Sequence, residues 1–415
     1  MTMTVAKVTQ LPPSAQSAEV VAGVDTHADT HHVAVLARTG ARLGDRQVPA
    51  TVAGYEQLLT FVASYGTIAL IGIEGTSSYG AGLARHLHAA GVPIREVIRP
   101  KRAQRRRGKS DPIDAYAAAA QALAEPEALP VAKTGDGAVE QVRILLAARR
   151  SAVKARTAAL RQIGSLLITA PDTVRARWAN LTGHALTDTL AATRPGSAVD
   201  SVAAAAGQAL RTLARRCQYL SSEIDDIEDG LRVLVTRAAP TMLATKGYGV
   251  ITAATLLITA GDNPTRLRSE ASFAALCGAA PIPASSGKTN RHRLKRGGDR
   301  QANWALHQIA LVRMSTDPRT KAYAAKLRAT GKTSKDILRC LKRAIARETY
   351  HLLVHPRPVP VTDDLRQLRH ERCLTLARAA ADLHTVPARI SELERGTRLD
   401  INLATAYREW LLNAA

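Results

Sequence analysis

Aromatic side chains are scarce in this 415-residue chain: two Phe, three Trp and nine Tyr make up 3% of it. Base stacking is therefore excluded as the dominant mode of binding, because it needs many exposed rings. Cysteine is scarce too, and the four cysteines stand singly at Cys217, Cys277, Cys340 and Cys373. Without a C-x-x-C pair we expect no zinc site, and isolated thiols fit a reducing cytoplasm.

Long apolar runs and acidic residues are also in short supply. No apolar run approaches the roughly 20 residues needed to cross a bilayer, and the first residues lack a signal-peptide pattern, so we expect a soluble cytoplasmic protein without membrane association. Asp and Glu number 35 against 57 Lys and Arg, which gives a net charge of +22. This excess favours a polyanionic partner, although an arginine-rich proteome would produce the same balance.

The pattern of apolar residues predicts an α/β domain over residues 19–130, after a disordered leader at 1–18. Three strands come first, and helices then alternate with strands, which indicates a mixed sheet. The predicted strands are 20–24, 32–37, 42–48, 68–73 and 93–98, and the predicted helices are 51–65, 81–90 and one that begins near residue 111.

The rest of the chain is predicted to be mainly helical. Apolar residues recur every seven positions from Leu146 and alternate spacings of three and four between Leu210 and Leu234, which predicts two long helices within 131–239. They form either an antiparallel hairpin or an oligomeric coiled coil. A helical domain at 240–355 is interrupted by a cation-rich stretch, and a linker with a small helical module occupies 356–415.

Four acids are placed where a metal site would need them. Asp25 and Glu74 follow the first and fourth predicted strands, whereas Asp111 and Asp114 stand three residues apart at a helix start. Neighbouring strand ends and one helical face would bring these carboxylates together. Clustered carboxylates repel one another unless cations neutralise them, and their oxygen atoms suit Mg²⁺ or Mn²⁺. Taken singly, each acid favours an ordinary role: Asp111 as an N-cap, Asp114 as a solvated helix residue, and Asp25 and Glu74 as turn residues.

The acidic motifs resemble those of the insertion sequence 110 family of transposases, which are related to pilin-gene DNA invertases. The resemblance covers roughly residues 20–353, and its D, E and D-x-x-D motifs match Asp25, Glu74, Asp111 and Asp114. It implies a RuvC-like domain of the RNase H fold, a serine transposase domain and a DNA recombinase activity. It also implies a structured non-coding RNA that pairs with target and donor DNA.

The resemblance identifies Ser286, which precedes a glycine, as the nucleophile, with Ser285 as an adjacent competitor. A serine hydroxyl needs a base, a metal or nearby cations, and no His-Asp pair is evident in the surrounding sequence. Two basic stretches are predicted to hold nucleic-acid phosphates, although the first could be a merely solvated loop. Their residues are Arg99, Lys101, Arg102, Arg105, Arg106, Arg107 and Lys109, then Lys288, Arg291, Arg293, Lys295 and Arg296.

The C-terminal module resembles a Cro/CI-type helix-turn-helix over residues 374–396. The second helix would lie in the major groove, with Arg389 and Glu392 as candidates for base contacts. The turn carries His384-Thr385 where a glycine is more usual, and a small helical cap is the alternative.

Three functions are compatible with these features. The leading hypothesis is a DNA transposase with Mg²⁺ or Mn²⁺ at the acids, guided by RNA and acting near the nucleoid as a dimer or tetramer. The second is a metal-dependent nuclease of the Holliday-junction type, without a covalent intermediate. The third is a DNA-binding regulator that has lost catalysis.

Overall fold

The computed structural model describes residues 18–97, 110–196, 199–283, 292–294, 297–356, 358–397 and 400–413. The chain divides into two compact units, the first ending at Asp136 and the second beginning at Gly137. In the described ranges, no helix combines the length and apolar character that a membrane span requires.

The first unit contains a five-stranded mixed sheet with the order β3-β2-β1-β4-β5. β2 pairs antiparallel with both β1 and β3, whereas β4 pairs parallel with β1 and β5 pairs parallel with β4. This confirms the predicted α/β class and is consistent with an RNase H-like domain. The elements are β1 (Glu19–Thr26), β2 (Thr30–Ala37), β3 (Arg42–Pro49), α1 (Val52–Ala63), β4 (Thr67–Glu74), α2 (Ala81–Ala89), β5 (Ile94–Val97) and α3 (Asp111–Ala124).

The two faces of this sheet carry different helices. Val20, Ala22 and Val24 of β1 pack in one core with Leu58 of α1 and Leu87 of α2. The alternate residues of β1 face the other way, because side chains along a strand point to opposite sides. That second face packs against the alanines of α3.

Two glycines allow α3 to lie close to the sheet. Gly23 of β1 and Gly72 of β4 are paired across the strands. A Cβ at Gly23 would stand 2.0 Å from the backbone nitrogen of Ala119, and one at Gly72 would stand 2.9 Å from the Cβ of Ala122. Glycine is therefore required here for close approach of the helix. Each glycine precedes a strand-end acid by two residues and so lies on the same face as that acid.

The second unit is almost entirely helical. Its helices are α4 (Ala138–Thr169), α5 (Asp172–Trp178), α6 (Gly183–Ala192), α7 (Val202–Ala238), α8 (Pro240–Ala244), α9 (Val250–Ala260), α10 (Glu270–Leu276), α11 (Arg300–Thr316), α12 (Pro318–Ala329), α13 (Ser334–Val354), α14 (Leu365–Glu371), α15 (Leu376–Asp382), α16 (Pro387–Glu394) and α17 (Ile401–Asn413). Two short strands, β6 (Pro281–Pro283) and β7 (His292–Leu294), form an antiparallel ribbon between α10 and α11.

The long helices α4 and α7 pack against each other as an antiparallel hairpin. Near the end at which the two helices are connected, Ile163 packs with Leu210, and further along Ala152 packs with Ile224. The apolar seam of α7 is therefore buried within the chain, which decides between the two arrangements that the spacing allowed. The seam itself no longer argues for an oligomer.

The base of the hairpin belongs to the core of the following helices. Leu146 of α4 and Leu231 of α7 are fully buried in one cluster with Phe273 of α10, Leu306 of α11 and Ile345 of α13. Separate from this, α14 to α17 enclose their own small core around Ile390 and Tyr407.

Candidate metal centre at the strand ends

Asp25 is the second-last residue of β1 and is 2% exposed. It lies on the α3 face of the sheet, because it alternates with Gly23 along the strand. Burial of a carboxylate among apolar neighbours is costly unless another group compensates its charge. A group that compensates the charge of Asp25 would therefore have to lie on the α3 side of the sheet.

His27 connects Asp25 to the start of α3. Its Nε2 lies 3.2 Å from Oδ2 of Asp25 and 3.4 Å from Oδ1 of Asp111. These three side chains offer ligand atoms that all lie within 4.8 Å of one another. Among the residues that the structure describes, they are the one group of this kind. The sequence predicted Asp25 and Asp111 but did not point to His27.

Local sequence fixes the position of Asp111 and Asp114 at the first turn of α3. Ser110 has the extended backbone of an N-cap, and Pro112 stands at the start of the helix, where a missing N–H costs little. The amide of Asp114 already bonds to the carbonyl of Ser110 at 3.1 Å. Both acids also benefit from the positive end of the helix dipole.

Glu74 ends β4, the neighbour of β1 in the sheet. Its side chain is half-buried, and its main-chain carbonyl accepts a hydrogen bond of 2.8 Å from Oγ1 of Thr26. Gly75 follows with φ 72°, a conformation that suits glycine and turns the chain away from the strand. Glu74 and Asp114 are not members of the group formed by Asp25, His27 and Asp111.

The electrostatics of the centre favour a cation. Burial raises the pKa of Asp25, and the nearby charges of Asp114 and Asp111 raise it further, whereas His27 opposes the shift. A carboxylate in this situation is relieved by any positive charge placed beside it. Two carboxylates and an imidazole are suitable donors for Mn²⁺, and the carboxylates also suit Mg²⁺. The residues present therefore fit a divalent metal ion.

Most of the predicted nucleophile and phosphate-binding residues lie outside the described residues. Arg293 lies on β7, where its backbone pairs with Ile282. Those outside are Arg99, Lys101, Arg102, Arg105, Arg106, Arg107, Lys109, Ser285, Ser286, Lys288, Arg291, Lys295 and Arg296.

Arg389 lies on α16 in the C-terminal module and is held by acids of the same module. Its Nη1 lies 2.8 Å from Oε2 of Glu392, and its Nη2 lies 3.4 Å from Oδ2 of Asp400. His384, between α15 and α16, has φ 51°, the left-handed conformation that glycine usually supplies. His384 thus adopts the backbone conformation that the more usual glycine would have in this turn.

Comparison with known proteins matches two transposase families along the chain. A model of DEDD transposases of the IS110 type, described as "Transposase", matches residues 22–170. A second, described as "Transposase IS116/IS110/IS902 family", matches residues 239–325. Asp25, Glu74, Asp111 and Asp114 fall in the first range and Ser286 in the second.

Two proteins of insertion elements are similar to the chain. The 42 kDa protein of insertion element IS900 from Mycobacterium paratuberculosis is 29% identical over 394 residues, covering 81% of this chain and 97% of the relative. The 43.6 kDa protein of insertion element IS110 from Streptomyces coelicolor is 38% identical over 106 residues, or 25% of this chain and 26% of the relative. The chain belongs to the IS110 family of transposases.

Proposed function

We propose that this transposase cuts and rejoins DNA through a covalent link to Ser286, assisted by divalent metal at Asp25, Glu74, Asp111 and Asp114. The observation that carries the proposal is the meeting of Asp25 and Asp111 around His27 at the strand ends. Family membership supports DNA as the substrate, and the net charge of +22 suits a polyanion.

The residues of the strand-end centre would hold divalent metal in a fixed position beside the scissile phosphate. Asp25 is buried, so its carboxylate cannot swing freely into solvent. When bound there, divalent metal would supply positive charge to the phosphate oxygens and to the departing oxygen. His27, between the two carboxylates, is a further candidate for this set of ligands.

The covalent step would be a transesterification. The bond between Ser286 Oγ and phosphorus forms as the bond between phosphorus and the 3′ oxygen breaks. The hydroxyl proton passes to solvent or to a nearby base, and the 3′ oxygen keeps the bonding electron pair and takes up a proton. Attack by a 3′ hydroxyl of another strand on the phosphoserine would reverse these changes and join the new ends.

Further partners follow from the family resemblance and belong to the proposal. A structured RNA would select target and donor DNA by base pairing, with shape and charge used to hold it rather than aromatic stacking. Joining several DNA ends would need a dimer or tetramer. The basic stretches at 99–109 and 288–296 would contact phosphates, and α16 with Arg389 would contact duplex DNA.

One experiment tests the covalent step and separates it from hydrolysis by metal alone. Purified protein is incubated with labelled element-end DNA and Mg²⁺ or Mn²⁺, denatured, and assayed for labelled protein. We expect a labelled adduct in the unaltered protein, none with Ser286→Ala, and retained DNA binding in that variant. Ser285→Ala is the matched control and should keep the adduct. Continued cleavage by Ser286→Ala without an adduct would support a nuclease of the Holliday-junction type instead.

A further inference from the structure

The region that carries Ser285 and Ser286 leaves the helical core at one defined place. We call residues 279–297 the serine arm; it begins after α10 and ends before α11, and it contains β6 and β7. The residues that flank the arm on its two sides contact each other. The amide of Asp299 bonds to the carbonyl of Leu276 at 2.7 Å. A Cβ at Gly298 would stand 2.7 Å from both the nitrogen of Gly278 and the carbonyl oxygen of Leu276.

Asn303, on the first turn of α11, binds the two residues that lead from α10 into the arm. Its Nδ2 donates to the carbonyl oxygen of Cys277 at 3.0 Å and to that of Gly278 at 2.9 Å. Gly278 has φ 63°, so the chain turns sharply at the residue that Asn303 grips. One side-chain amide thus satisfies two carbonyls at a bend and fixes the direction in which the arm leaves.

Lys342, on α13, fixes Asn303 in turn. Its Nζ donates to Oδ1 of Asn303 at 3.0 Å. This bond determines which end of the amide faces the carbonyls, because the ammonium needs an acceptor. Lys342 is half-buried, and burial lowers its pKa, with a further contribution from Arg339. Its described surroundings contain no ion-pair partner that would account for keeping a lysine there.

The other cations on this stretch of α13 are engaged with acids. Arg339 pairs with Asp336 at 3.0 Å, and Arg343 lies 3.5 Å from Glu270. Lys342 differs from both, since its ammonium donates to the neutral side-chain amide of Asn303. A half-buried charge directed at a neutral amide costs stability, and such a cost is typical of residues kept for function.

We propose that Asn303 and Lys342 are positioning residues that set the direction of the serine arm and thereby the placement of its nucleophile. The proposal rests on the function proposed for Ser286. Neither side chain touches DNA or the reacting atoms in this role. Reacting atoms must approach to about 3–3.5 Å, and a misplacement of about 1 Å costs up to about 100-fold in rate.

The test measures adduct formation at saturating DNA for Lys342→Met, Asn303→Leu and Lys342→Arg. We expect a loss of about 10-fold to 100-fold in the rate constant for the first two, with unchanged DNA affinity and a single cooperative thermal transition, and substantial rescue in Lys342→Arg. The double variant should lose no more than the worse single variant, because both residues act through one contact. Lys335→Met, an exposed lysine of the same helix, is the matched control and should react normally.

Hydrogen exchange provides a readout that does not depend on Ser286. Amides of residues 276–279 and of Asp299 should exchange faster in Lys342→Met and Asn303→Leu, whereas α9 and α13 keep their protection. Full-rate adduct formation with normal exchange in these variants would overturn the proposal. So would a loss confined to DNA affinity, which would make Lys342 a phosphate ligand. If the unaltered protein forms no Ser286-dependent adduct, the proposed function fails, and exchange still decides whether the contact orders the arm.

Discussion

Gly23 and Gly72 lie opposite each other on β1 and β4, and helix α3 rests directly on both. The absence of two side chains is what lets the helix bring Asp111 to Asp25. The metal centre therefore depends on the close packing of α3 against two glycines that have no side chain and cannot be metal ligands.

Gly23→Ala is expected to displace α3 and weaken the metal centre. The new Cβ would stand 2.0 Å from a backbone nitrogen, which no side-chain rotation relieves. We expect a loss of at least about 1–3 kcal/mol in unfolding free energy, together with weaker divalent-metal binding. Chemical denaturation and metal titration measure the two effects.

Gly164→Ala is the matched control for that substitution. Gly164 lies within α4 with nothing near its Cβ position, so alanine should stabilise the protein by about 0.5–1 kcal/mol. Equal stability effects at the two glycines would contradict the close-packing explanation.

Divalent metal should raise the thermal midpoint of the unaltered protein. Binding to the folded state alone contributes about 2.7 kcal/mol at a metal concentration 100 times Kd. We expect Asp25→Asn to abolish the increase. His27→Ala should weaken Mn²⁺ binding more than Mg²⁺ binding, since imidazole suits transition metals. Titration calorimetry with each metal checks this, with the exposed His88→Ala as the control; unchanged affinity for both metals would show that His27 is not a ligand.

The C-terminal module should lose stability in acid through one buried ion pair. Nε of Arg369 lies 2.7 Å from Oε1 of Glu394, and the side chains are 8% and 3% exposed. Burial pushes the pKa of Glu394 up, but bonds from Arg369 and Tyr407 outweigh this and leave it below its ordinary value. Stability from a lowered pKa is present above the unfolded pKa of about 4.3 and is lost as pH falls through the folded pKa.

Glu394→Gln tests that assignment. It should cost about 3–5 kcal/mol near pH 7, because Arg369 stays buried without its counter-charge, and it should flatten the acid dependence below about pH 4. The exposed Glu409→Gln serves as control. Unfolding followed by the fluorescence of Trp410, which packs on this core, reports on the module when Trp178 and Trp304 are replaced by Phe. An unchanged acid transition in Glu394→Gln would count against the pair.

Alkylation should separate the cysteines by burial. Burial raises the pKa of Cys277 to about 12, and Asp299 adds to the shift. About one Cys277 thiol in 10,000 would then be ionised at pH 8, and the thiolate is the reactive form. In the folded protein iodoacetamide should label the exposed Cys373 and spare Cys277, as mass spectrometry of the peptides would show. Rapid native labelling of Cys277 would contradict its burial in the core formed by α10, α11 and α13.

The elements of the first unit were predictable because each has a strong local signal. Alternating and continuous apolar runs placed all five strands and α1 to α3 within a few residues of their observed bounds. Asp25 and Asp111 followed from the strand end and the helix start. His27 escaped prediction because the motif that indicates the metal site consists of acids alone, although His27 stands only two residues after Asp25. The glycine two residues before each strand-end acid was the sequence signal, not used in the prediction, that α3 packs closely against the sheet.

Other features depend on distances along the chain that no local pattern encodes. An apolar seam has the same spacing whether it meets α4 of its own chain or a second copy, so the hairpin could not be chosen from sequence. Asn303 and Lys342 are 39 residues apart and come together only through the packing of α11 on α13.

The packing of the hairpin base has a mechanical consequence. With 37 residues, α7 is about 55 Å long, so a rotation of about 5° at its base would move its far end by about 5 Å. Leu146 and Leu231 hold that base inside the core formed by α10, α11 and α13. A change of one side chain at this base that tilts α7 slightly would therefore displace the far end of the helix by several times the displacement at the base.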